Sequence, residues 1–184
     1  GYTGEDGVEI ILGANVARMA MGMLVKDLGT PESIIKPVGL GARDTLRMEA
    51  GMPLYGHELT EEIDPLTAGL RFAVKLDKGN DDARVGHFIG QDALNEIDAR
   101  GPSQRIVGLL VEGRRSPRQD MDVRAGGAVI GRVTSGCMSP SLERPIAIAL
   151  VGAEHAEPGT RLGIDLRGTE AAAEVVTMPF LPKG

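Results

Sequence analysis

Glu9 and Arg43 are of the types that hold a polar ligand: a carboxylate takes two neighbouring N–H donors at once, and a guanidinium orients it through charge-assisted hydrogen bonds. Tyr2 is an aromatic that could line the same cleft. Taken alone, each has a plainer reading. Glu9 suits the solvent side of a half-exposed strand, Arg43 an exposed helical pair with Asp44 beside a similar Arg47–Glu49 pair, and Tyr2 a packed turn. Nothing nominates a nucleophile. Cys137 has no adjacent base and lies in a Thr-Ser-Gly-Cys run that predicts a turn and a structural thiol. Ser135 lacks the Gly-x-Ser-x-Gly setting. His57, His87 and His155 stand far apart with no metal-ligand spacing, so no metal is expected. Glu5 with Asp6, and the run Glu58, Glu61, Glu62 and Asp64, invite a paired-carboxylate reading, but the run predicts a solvated loop. Gly1, Gly4 and Gly7 supply turns rather than a phosphate loop, because no Gly-Lys-Ser/Thr follows.

The elements that would position these residues divide the chain in two. Val8 to Leu12 predicts a short buried strand carrying Glu9, closed by Gly13. Val16, Met19, Met23 and Leu24 recur at near-helical spacing and predict an amphipathic helix from about Asn15 to Leu28, stopped by Gly29 and Pro31. A second helix is predicted over Ala42 to Ala50, with Arg43 and Arg47 on one face. Leu70, Phe72, Val74 and Leu76 alternate with less apolar residues and predict a strand, followed by a loop over Lys78 to Arg84 and a helix over Gln91 to Ala99. Past Gly101-Pro102 short strands are expected at Ile106–Val111, Val123–Ala125, Ala128–Thr134, Ile146–Val151, Arg161–Leu166 and Ala171–Thr177. Gly126-Gly127 and Arg167-Gly168-Thr169 read as hairpin turns. The expected fold is therefore α+β: a partial α+β domain over residues 1–99, then a small all-β barrel or jelly roll over 100–184.

Composition narrows the function classes. At 184 residues the chain can bury a core, and 20 Lys plus Arg against 26 Asp plus Glu disfavours nucleic acid. One cysteine forms no internal disulfide, and no apolar run approaches the roughly 20 residues of a membrane helix. A reducing, soluble compartment without membrane association is expected, cytoplasmic in preference to a mitochondrial matrix.

Two blocks carry a stronger signal: Gly-Tyr-Thr-Gly-Glu-Asp-Gly-Val-Glu-Ile at 1–10, and Gly-Leu-Gly-Ala-Arg-Asp-Thr-Leu-Arg-Met-Glu-Ala-Gly-Met-Pro-Leu-Tyr-Gly-His-Glu-Leu at 39–59. With Val-Thr-Ser-Gly-Cys-Met-Ser-Pro-Ser-Leu at 133–142 and Met-Pro-Phe-Leu-Pro at 178–182, the chain resembles the carboxy-terminal half of the glycine cleavage system T-protein, a tetrahydrofolate-dependent aminomethyltransferase. Opening at Gly1 inside a turn, it is expected to be part of a longer protein. The resemblance implies that Glu9 and Arg43 contact folate, with Tyr2 beside them. It also implies a lipoylated H-protein as partner and, as the reaction, transfer of a methylene carbon to tetrahydrofolate with release of ammonia. The family's key aspartate and a carboxy-terminal aromatic residue have no counterpart here, so no catalytic residue is assigned. Folate-linked sarcosine or dimethylglycine oxidising enzymes are similar in this region and form the alternative. A non-catalytic folate-binding relative that assists iron-sulfur assembly is a third reading, although its Lys-Gly-Cys-Tyr-x-Gly-Gln-Glu run is not found.

Overall fold

The computed structural model describes residues 1–33, 35–80 and 86–181. Its dominant feature is a closed antiparallel barrel of six strands: β1 (Gln104–Val111), β2 (Asp122–Ala125), β3 (Ala128–Ser139), β4 (Arg144–Gly152), β5 (Arg161–Asp165) and β6 (Glu170–Val176). Their order around the wall is β1-β4-β3-β2-β5-β6, and β6 closes on β1 with Leu109 opposite Val175. Closure leaves no free sheet edge. The two expected glycine turns connect β2 to β3 and β5 to β6. The barrel interior is filled mainly by β-branched and small residues, among them Val107, Val123, Val133, Ala149, Ile164 and Val175.

The continuous apolar run of β4 has a physical reason. Ala147, Ala149 and Val151 point into the barrel, while Ile146 and Ile148 join Met48 and Cys137 in a second cluster on its outer side. The carboxy-terminal tail closes that cluster, with Met178 and Phe180 packed against it. A side chain at Gly108 would meet Met178 Cγ at 2.7 Å and the Phe180 ring at 3.1 Å, so glycine lets the tail lie against β1.

Among the described residues three α-helices precede the barrel: α1 (Ala14–Leu24), α2 (Leu40–Glu49) and α3 (Gln91–Arg100). Helix α2 packs against β3 through Met48, which is wholly buried. Gln91, at the start of α3, is buried and donates from Nε2 to the Leu76 and Lys78 carbonyls, which ties that helix to the preceding segment.

Two predicted strands are corrected here, and one predicted helix forms without the cover its pattern implies. Val8 to Leu12 is not a strand: it forms no ladder among the described residues, and Ile11 is 97% exposed. β-branched residues suit a strand only where a partner strand takes up the backbone groups. Helix α1 exists, but the apolar stripe expected to face a core is not covered, and none of its residues is buried. Leu70 to Leu76 is also not a strand. Asp64 accepts from the backbone N–H groups of Leu66 and Thr67 and coils the chain, and Arg71–Ala73 continue as a 3-10 turn with Phe72 86% exposed. Part of the expected Lys78–Arg84 loop, residues 81–84, lies outside the described residues.

Candidate functional site

The residues singled out for ligand chemistry converge where the amino-terminal segment meets α2. The Arg43 guanidinium lies over the Tyr2 ring, 4.9 Å from its centroid, a cation–π arrangement that fixes both side chains. Its Nη2 is 3.9 Å from Glu9 Oε1, an ion pair between exposed groups rather than a hydrogen bond. Tyr2 donates its hydroxyl to the Pro53 carbonyl at 2.5 Å. Burial pushes the Tyr2 phenol above its ordinary value, with the Arg47 charge opposing, so it remains a donor. Tyr2, Leu40, Arg43, Asp44, Arg47, Leu54 and His57 line a cleft of about 330 Å³. That is at the small end of the roughly 300–1,000 Å³ typical of small-molecule sites, enough for a bicyclic head group.

Beneath this cleft lies a polar network that the sequence reading missed. Arg47 is 1% exposed and donates from Nε to Asp44 at 2.8 Å, from Nη1 to Glu58 at 3.2 Å and Met52 O at 3.3 Å, and from Nη2 to Ser135 Oγ at 2.9 Å. Glu58, expected in a solvated loop, is 0% exposed; its Oε2 also accepts from Leu54 N at 3.0 Å. The i, i+4 spacing of Arg43 and Arg47 showed a shared helix face, but one sits exposed at the rim and the other is buried in the floor. Only the contact with β3 decides which.

Two residues on, Glu49 is 4% exposed rather than the exposed partner expected from helical spacing. It accepts from Ser139 Oγ, from Ser141 N at 3.0 Å and from Ser141 Oγ at 2.9 Å, while its own carbonyl receives Phe180 N at 3.0 Å. Burial pushes the Glu49 carboxyl upward, but the bonds from Ser139 and Ser141 outweigh this and hold it below the usual carboxylate value. Helix α2 is thus locked to the barrel at its carboxy-terminal end, which fixes Arg43 nearly two turns earlier.

Cys137 lies in β3 rather than in a turn, because that strand runs on through Ser135 to Ser139. Burial, with the charges of Asp44 and Glu49, pushes its thiol up to about 11. Unmodified thiol is therefore the expected outcome when the native protein is treated with a maleimide at neutral pH, with labelling only after denaturation; rapid native labelling would contradict the burial. No group of three or more His, Cys, Asp or Glu residues able to hold a metal occurs among the described residues, and no described helix is long and apolar enough to cross a membrane.

Comparison with known proteins places the chain. Residues 1–78 match the sequence model of the GCVT N-terminal domain, and residues 104–181 that of the glycine cleavage T-protein C-terminal barrel domain. The aminomethyltransferase of Streptomyces avermitilis is 48% identical over 98% of the chain, and that of Symbiobacterium thermophilum 48% identical over 98%. The crystal structure of the glycine cleavage system aminomethyltransferase T from Bartonella henselae superposes with a TM-score of 0.87 at 36% identity over 98% of the chain and 48% of its own. The chain spans about half the length of the curated relatives it matches, 47% and 46% of the two named. The two family matches, at either end of one chain and in the family's order, agree with the barrel and with the fold of the solved relative: this chain belongs to the glycine cleavage T-protein family.

Proposed function

We propose that this chain forms one wall of the tetrahydrofolate site of an aminomethyltransferase, with residues 1–99 as the carboxy-terminal part of the folate-binding domain and 100–184 as the barrel domain. The convergence of Tyr2, Arg43 and Glu9 beside one cleft is the observation that carries this reading. Glu9 takes the paired N–H donors of the pterin edge, and Arg43, stacked on Tyr2, orients that carboxylate. The reaction moves the methylene carbon of an S-aminomethyl-dihydrolipoyl arm, carried by the H-protein, onto two nitrogens of tetrahydrofolate. Ammonia and the free dihydrolipoyl thiol leave. No group of this chain is assigned to the chemical step; its contribution is positioning and electrostatics in a reducing compartment, the cytoplasm in preference to a mitochondrial matrix.

The complete protein, mixed with aminomethylated H-protein and tetrahydrofolate, is expected to yield 5,10-methylenetetrahydrofolate and ammonia in equal amounts. Folate binding with neither product would contradict the enzymatic reading and leave a binding protein.

A further inference from the structure

The bulge in β3 places a histidine that the reading above does not use. Pairing with β4 slips between Val133 and Ser135, so Thr134 is the extra residue. Its hydroxyl donates to the Ile148 carbonyl at 3.0 Å, and its own carbonyl turns toward the cleft, where His57 Nδ1 meets it at 2.8 Å. A carbonyl only accepts, so Nδ1 carries the hydrogen, and the neutral ring then presents a lone pair at Nε2. Ser135 Oγ, which receives Arg47 Nη2, lies 3.2 Å from the same Nδ1 and braces the ring from the barrel side. Among the described residues nothing is hydrogen-bonded to Nε2, and His57 is a wall of the cleft that Tyr2 and Arg43 line. The surroundings leave acceptors for a ligand that donates: Arg47 is consumed by its four partners, Asp44 lines the same cleft, and Glu9 lies 3.9 Å from the Arg43 that lines it.

We propose that His57 is a ligand-contacting residue of this cleft, accepting at Nε2 a hydrogen bond from an N–H of a reduced pterin ring; the proposal rests on the folate reading above. A purely structural role, tying the 54–59 loop to the barrel, would use Nδ1 alone. Two substitutions separate the roles in the complete protein. His57→Asn keeps a donor near the Nδ1 position and removes Nε2, whereas His57→Gln carries a polar group out to the Nε2 position and gives up the bond to Thr134.

Calorimetric titration with tetrahydrofolate, and with 6-methyltetrahydropterin, which lacks the benzoylglutamate tail, is the test, alongside the thermal midpoint of each variant. His57→Asn is expected to weaken both ligands roughly 5- to 10-fold with the midpoint unchanged, and His57→Gln to recover most of the affinity despite a lower midpoint. Wild-type affinity in His57→Asn, with any loss confined to the less stable His57→Gln, would overturn the contact alone. A wild-type protein that binds neither ligand would instead sink the folate reading and the contact with it.

Discussion

Replacing Arg47 with alanine is expected to destabilise the protein by about 3–5 kcal/mol, measured by denaturant unfolding at neutral pH. The size follows from what is left behind. Glu58 is wholly buried, and without the guanidinium its carboxylate would keep only the Leu54 N–H. Already, no partner among the described residues reaches its Oε1, so little compensation is in reserve. Arg47→Lys keeps the charge but not the fork that reaches Asp44, Glu58 and Ser135 together, and should recover only part of the loss. Replacing the pair together, Arg47→Met with Glu58→Leu, should cost far less than Arg47→Ala, because no unpaired charge then remains buried. A loss below about 1 kcal/mol for Arg47→Ala would mean the network is solvated, as surface pairs are.

Glu49 gives the second large effect, and its sign with pH is fixed. Its carboxyl lies below its ordinary value in the folded protein because the bonds from Ser139 and Ser141 outweigh burial. Such a group stabilises the fold fully above the unfolded carboxylate value of about 4.3, and the contribution falls as pH drops through the lower folded-state value. Glu49→Gln is therefore expected to cost about 1.5–3 kcal/mol at pH 7, with the gap from wild type closing in acid. Taking the difference between the two proteins cancels Asp64. Its carboxyl is also held below the ordinary value by bonds from Thr67 and Leu66, although burial pushes it up. A gap constant from pH 7 to about 3 would show that the charge of Glu49 does not matter to the clamp.

The barrel was largely legible because its strands are short, apolar and separated by turn residues, although closing it pairs β1 with β6 and β2 with β5 across long stretches of sequence. Strand β3 is the informative exception. Thr134 to Cys137 look like a turn, yet the strand runs through them to Ser139, where polar residues find buried partners: Ser135 meets Arg47, and Ser139 meets Glu49. The same contacts bury the two α2 charges that helical spacing alone makes look exposed. Val8 to Leu12 failed for the opposite reason, while α1 formed as expected but with its apolar stripe open. Their patterns describe faces that need a neighbour, and among the described residues no element covers them. Glu9, Arg43 and Tyr2 were singled out through motif resemblance, whereas His57 depended on a bulge that no sequence pattern announces.

The folate reading turns on Glu9. Tetrahydrofolate should be titrated calorimetrically into the complete protein and into its Glu9→Gln variant, which keeps the shape and removes the charge. Binding weakened by about 1.5–3 kcal/mol in the variant is the predicted result, the range for a hydrogen bond to a charged group. Equal affinity in the two proteins, or no binding by either, would contradict it.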